Sequence, residues 1–218
     1  DNMNNGRKRH IWVSKDDGKL FRQAISDWAA VTGIKGDKAK EIFNLLPKSA
    51  NEKINIDSGI LFINYPKMRG GAKKQGGKVT RSRMEQITEW MGEDFDGVIA
   101  FDESHKMGNA AAVKGARGAT KPSQTALTGV ELQEFAKDSR MLYLSATGAT
   151  EVQNLGYATR LGLWGEGTPF ANLNDFITQI ASKGVAAMEI VAQNMKALGV
   201  YGARALSYHD VTYGKLVH

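Results

Sequence analysis

The sequence contains no cysteine, which excludes disulfides, thiolate metal sites and a cysteine nucleophile. Its four histidines, at 10, 105, 209 and 218, are scattered without H-E-x-x-H spacing, which argues against a zinc hydrolase and leaves oxygen ligands for any metal. No apolar run approaches the roughly 18 residues of a membrane span. The polar, basic start DNMNNGRKRH also lacks the apolar core of a signal peptide. These absences lead to the expectation of a soluble, cytoplasmic protein with no membrane partner. What is present suffices for a core: 218 residues, 42% hydrophobic and 24% charged, suit one or two domains and argue against intrinsic disorder.

Charge is unevenly placed. Residues 1–83 carry 18 Lys and Arg against 8 Asp and Glu, whereas residues 84–218 carry 11 against 15. A basic half suits contact with phosphate, in a nucleic acid or a nucleotide; a solvated lysine-rich surface is the plainer alternative.

Short β-rich runs alternate with amphipathic segments. Residues 10–14 (HIWVS) predict a buried strand, followed by Asp16 and Asp17 as caps and a helix with Leu20, Phe21, Ala24, Ile25 and Trp28 on one face, stopped near Gly33. The continuous run 59–65 (GILFINY) predicts a strand covered on both faces, central in a parallel sheet and ended by Pro66. Between them, 42–46 reads equally as a strand or a helix end. Residues 67–83, with four glycines and seven Lys or Arg, predict a mobile basic loop that does not pack. Met84, Ile87, Trp90 and Met91 then mark a helix, 98–101 a third strand, 108–123 a Gly/Ala-rich connection, Leu127, Val130 and Phe135 a further helix, and 141–144 a fourth strand. Helices are expected over 172–183 and 185–198, with Met188 and Met195 in the core, Trp164 and Phe170 anchoring a turn, and a short run at 205–208 closing the chain. Strands separated by helices imply a mostly parallel sheet with ligands at the carboxyl ends of its strands.

Directly after the third strand stand Asp102 and Glu103, in Phe101-Asp102-Glu103-Ser104-His105. One carboxylate at such a tip suits Mg²⁺, held largely through its water shell against phosphates. A second suits orienting or deprotonating an attacking water. A solvated turn or a helix N-terminus would equally accommodate an Asp-Glu pair. The fourth strand ends in Ser145-Ala146-Thr147-Gly148. Strand plus D-E-x-H, helix, strand plus S-A-T resembles motifs II and III of superfamily 2 helicases, and the two motifs together are far more specific than either alone.

The resemblance extends further. DFDGVIAFDESHKMGN, YLSATGATEVQNLGYATRLGLWGEGTPF and GVAAMEIVAQNMKALGVYGARALSY look like the helicase-like AAA region of the Strawberry notch family, most strongly over residues 94–208. Related regions occur in large bacterial, phage and plasmid proteins that can also carry methyltransferase segments. The resemblance implies an α/β fold: a RecA-like, mostly parallel sheet with helices on both faces, lacking its N-terminal phosphate-loop strand, plus a helical C-terminal extension. It places a partial motor lobe with motifs Ia to III at 1–165 and an extension toward a second lobe at 166–218. It implies ATP and Mg²⁺ as cofactors, Asp102 as metal residue, and Asp102 and Glu103 as catalytic residues. His105, Ser145, Ala146 and Thr147 would couple phosphate state to nucleic-acid binding. The end of strand 10–14 corresponds to motif Ia, so Ser14 and Lys15, with Lys67 and Arg69 after the next strand, would touch the backbone of DNA, or else RNA.

No G-x-x-x-x-G-K-[ST] phosphate loop occurs. In the nearest stretch, Gly76-Gly77-Lys78-Val79-Thr80, the hydroxyl comes one place late and the first glycine is replaced by Ala72. The expectation is therefore a fragment of a nucleic-acid-dependent ATPase or helicase, inactive alone, whose larger polypeptide carries the phosphate loop and second lobe. The alternative is a non-catalytic RecA-like interaction module in a larger DNA-processing or antirestriction protein. A methyltransferase is disfavoured, because neither a glycine-rich strand–helix cofactor loop nor a D/N-P-P-Y element appears.

Overall fold

A computed structural model describes residues 6–75, 78–110, 113–115, 118–145 and 152–202. Strands β1 (Arg9–Ser14), β2 (Phe43–Leu45) and β3 (Gly59–Asn64) alternate with helices α1 (Lys19–Thr32), α2 (Gly36–Ile42) and the single turn α3 (Tyr65–Met68). A two-stranded hairpin, β4 (Lys73–Gln75) and β5 (Lys78–Thr80), leads to α4 (Arg83–Met91) and β6 (Val98–Phe101). A second hairpin, β7 (Val113–Gly115) and β8 (Gly118–Thr120), precedes α5 (Gln124–Phe135), β9 (Arg140–Tyr143) and the long α6 (Leu173–Ala197).

The main sheet runs β2-β3-β1-β6-β9 with every pair parallel. Parallel strands need helical crossovers, and these cover both faces. On one face Ile25 of α1 and Ala39 of α2 are buried against Phe43, Ile60 and Phe62 of the sheet, with Trp12 packed alongside. On the other, Ile11, Val13, Leu61, Ile63, Ile99 and Phe101 meet Met84, Ile87 and Met91 of α4 and Leu132 of α5. Alternation along β1 thus serves two cores at once. Each fully buried side chain of this kind contributes about 1.5–3 kcal/mol. The continuous apolar run in β3 is buried at all six positions, as expected of an interior strand, although β1 is the central one.

Helix ends follow their local chemistry. Asp16 Oδ1 accepts from the amides of Gly18 (2.8 Å) and Lys19 (2.9 Å) and so opens α1, while Gly33 closes it in the left-handed conformation. Ser82 and Glu85 form a capping box at the start of α4, and Ser123 and Asn172 cap α5 and α6.

Two expectations need correction, the basic stretch and the buried face of α5, and one open reading is resolved. Residues 36–45 are both readings in succession, a helix and then a strand. The basic stretch 67–83 does pack: it holds α3, a hairpin and two anchoring arginines. Arg83 donates to the carbonyls of Pro47 (3.0 Å) and Lys48 (2.6 Å), and Arg81 to those of Ala50 and Glu52. In α5 the buried face is Ala126, Gly129, Leu132 and Gln133, whereas Leu127 and Phe135 are exposed. The two C-terminal helices are parted at Gly184 as expected, where a φ of 70° and ψ of −157° suit only glycine. Trp164 and Phe170 pack on Phe176 (ring centroids 5.6 and 5.1 Å apart), and Met195 is buried. Residues 205–208 lie outside the described residues.

Candidate functional site

Because all five strands point the same way, their carboxyl ends share one edge, and the chemistry-bearing residues collect there. Pairing of Phe101 with Tyr143 sets Asp102 beside the end of β9, and pairing of Ser14 with Asn64 sets β1 beside β3. Asp102 is half-buried and held three ways: its amide donates to Val13 O (2.8 Å), its carbonyl accepts from the Tyr65 hydroxyl (2.9 Å), and its Oδ2 accepts from Ser14 Oγ (2.8 Å). Burial, then the charge of Asp102, pushes the Tyr65 phenol far above its ordinary range, so it stays a neutral donor.

Glu103 follows in the left-handed region, at φ 52° and ψ 45°. Its carboxylate lies 3.3 Å from His105 Nδ1, and that nitrogen is 3.0 Å from Ser145 Oγ. His105 therefore bridges Glu103 and the segment that follows β9. The Ser104 amide donates to Leu144 O (2.8 Å), which fastens the two strand ends to each other. Ala146 and Thr147 lie outside the described residues.

The expected nucleic-acid residues divide. Lys15 and Arg69 are exposed. Lys67 is ion-paired with Asp17, which also accepts from Asn64 Nδ2 (2.9 Å). Burial alone would raise the Asp17 carboxyl, but the Lys67 and Asn64 hydrogen bonds outweigh it and hold the group below its usual value. Ser14 corrects the expectation: it is fully buried and its hydroxyl serves Asp102 rather than an outside phosphate.

Sequence reasoning missed a buried polar group beneath the acidic turn. Ser104 Oγ and Tyr157 OH share a hydrogen bond (3.0 Å), and Gln133 Nε2 donates to the Tyr157 carbonyl (2.9 Å). Gln133 Oε1 accepts from Thr159 Oγ1 (2.9 Å) and from the Tyr143 hydroxyl. The available signal was Gln133 itself, a polar residue at helical spacing from Gly129 and Ala126.

Among the described residues no group of three or more His, Asp or Glu side chains could enclose a metal ion. Asp102, with one oxygen engaged by Ser14, and Glu103 beside it form an open, all-oxygen donor set. That set fits Mg²⁺, which keeps several waters and takes its other ligands from phosphates. Also among the described residues, no helix is long and apolar enough to cross a membrane.

The family model described as "P-loop containing NTP hydrolase pore-1" matches residues 1–218. The chain belongs to this family, in its Strawberry notch branch. It is 41% identical to protein strawberry notch of Drosophila melanogaster over 215 residues, 98% of the chain and 13% of that protein. Protein strawberry notch homolog 1 of Homo sapiens is 44% identical over 209 residues, 95% of the chain and 14% of the relative. Protein FORGETTER 1 of Arabidopsis thaliana is 34% identical over 218 residues, 98% and 16%. The chain thus spans about one seventh of the curated relatives it matches, and its sheet is a RecA-like α/β arrangement.

Proposed function

We propose that the chain is the magnesium-and-water half of a nucleic-acid-dependent ATPase, acting within a longer polypeptide as a DNA translocase or helicase. One observation carries the reading: Asp102, Glu103, His105 and Ser145 lie at one sheet edge beyond two adjacent parallel strands, with His105 in contact with both Glu103 and Ser145. In this assignment Asp102 would hold Mg²⁺, which offsets phosphate charge when nucleotide is bound. Glu103 orients the attacking water and takes its proton at the carboxylate. His105 and Ser145, with Ala146 and Thr147 following in sequence, report phosphate state to neighbouring parts. Lys15, Lys67 and Arg69 touch the DNA backbone, giving affinity with little base preference.

A phosphate cradle has to reach the same edge, and a further parallel strand beside β9 is the seat nearest to Asp102. We assign that strand, and a second lobe with its arginine finger, to other parts of the longer polypeptide. We likewise keep residues 1–165 as the partial lobe and 166–218 as the extension toward its neighbour. The missing phosphate-loop motif supports one competing reading, an interaction module without hydrolysis.

The test is ATP hydrolysis by the longer protein with and without DNA. Turnover stimulated by DNA and abolished by Glu103→Gln is expected, with none from the 218-residue chain alone. Wild-type turnover in Glu103→Gln, or none in a longer protein that carries an intact phosphate loop, would overturn the assignment.

A further inference from the structure

Glu103 and Asn109 are the only non-glycine residues with positive φ among those described. A glutamate keeps such a conformation only where its surroundings over-determine it. Two backbone bonds flank it, Asp102 N to Val13 O and Ser104 N to Leu144 O. The third restraint is the hydrogen bond between Ser104 and Tyr157, whose side chains are 1% and 7% exposed and so have no water to replace it.

Tyr157 is itself fixed. Its carbonyl accepts from Gln133, and its ring meets that of Tyr143 edge-on at 5.7 Å. Burial pushes its hydroxyl above the ordinary range, which keeps it protonated and able to donate. The segment around it joins two cores. Tyr157 and Ala158 belong to the sheet core, Val152 and Leu163 to the cluster built on Phe176, Ile177 and Ile180 of α6, and Leu161 touches both.

We propose that Tyr157 is a positioning residue for Glu103, acting through Ser104, and that this bond ties the acidic turn to the α6 cluster. The inference rests on the assignment of Glu103 above. A shift of the α6 cluster would reach Ser104 and Glu103 by way of Tyr157 and its hydrogen bond to Ser104.

Tyr157→Phe removes one oxygen and keeps the ring packing, while Ser104→Ala removes the other partner. In the longer protein each should lower kcat about tenfold, as loss of one buried hydrogen bond does, and leave KM for ATP within about twofold. The double variant should equal either single, since both delete the same bond. Without nucleotide, amides of residues 103–107 should exchange about tenfold faster in Tyr157→Phe, while those of β1 and β3 keep wild-type protection. If Tyr157→Phe also lowers the melting temperature, Ser104→Ala keeps the comparison interpretable. Wild-type kcat and turn protection in both single variants, or additive losses in the double, would overturn the inference. Glu103→Gln separates the two levels: its inactivity beside active Tyr157→Phe and Ser104→Ala refutes only the positioning role, whereas its activity refutes the assignment beneath it.

Discussion

Ser14 donates to the Asp102 carboxylate at 2.8 Å across 88 residues of sequence, from a position with no exposure to solvent. A hydroxyl so placed orients one carboxylate oxygen and leaves the other open. Ser14→Ala should therefore raise the Mg²⁺ concentration needed for half-maximal hydrolysis by the longer protein severalfold. Affinity for DNA, read by fluorescence anisotropy, should stay within about twofold of wild type. Loss of DNA affinity instead would return Ser14 to the nucleic-acid path.

Lys67 meets Asp17 and not solvent alone, so any phosphate that takes Lys67 must displace a carboxylate. Asp17→Asn should tighten DNA binding a fewfold and steepen the log–log salt slope by up to about 0.9, one phosphate contact. Lys67→Ala should do the reverse. The acid limb of stability should also respond. The folded Asp17 carboxyl sits below its ordinary 3.8, so its contribution is fully present above about pH 4 and disappears as pH falls through the lowered value. Thermal melts of Asp17→Asn should flatten in that window; an unchanged acid limb would show that the pair adds nothing.

His10 Nδ1 accepts the Val98 amide at 3.1 Å inside the sheet, so the ring is neutral with its proton on Nε2. Burial lowers its pKa from 6.5, against the opposing pull of the Arg7 backbone and then of Asp96. The depressed value means that stability is present above about pH 6.5 and is lost as pH falls through the folded pKa. His10→Asn, whose Oδ1 can take the same amide, should remove that slope below about pH 6.5 in urea titrations. Retention of the full slope would place its origin elsewhere.

Arg83 was expected among the mobile basic residues, yet its guanidinium joins Pro47, Lys48 and Gln86 across two segments. Arg83→Ala should cost about 1–3 kcal/mol, since three acceptors lose a charged donor. The salt dependence of DNA binding should not change. A stable variant with a flattened salt slope would reverse that division of roles.

Much of the frame was legible because it rests on patterns that local physics fixes. The unbroken run in β3 announces two-sided burial, and D-E-x-H and S-A-T after apolar strands mark two strand ends that the parallel register then sets side by side. The residues that support this site were illegible for a different reason. Gln133, Tyr157 and Ser104 meet only after α5 has packed under the turn, and apart from the helical spacing of Gln133 nothing local sets them apart from polar residues that face water. In α5 the apolar pattern misled, since Gly129 lies against Met107 and the helix buries a small-residue face while Leu127 and Phe135 remain outside. Arginines looked like free charge because their carbonyl partners, some thirty residues earlier, leave no trace in composition.

Five strands pointing one way separate two inheritances within a single sheet. The buried faces answer chiefly to packing and the carboxyl edge chiefly to chemistry, with Ser14 and Tyr157 serving both. A descendant of this chain could therefore exchange Glu103 or His105 and keep its shape, losing whatever chemistry that edge performs without a change in outline. Overall shape would not tell the two apart; the handful of side chains on that one edge would.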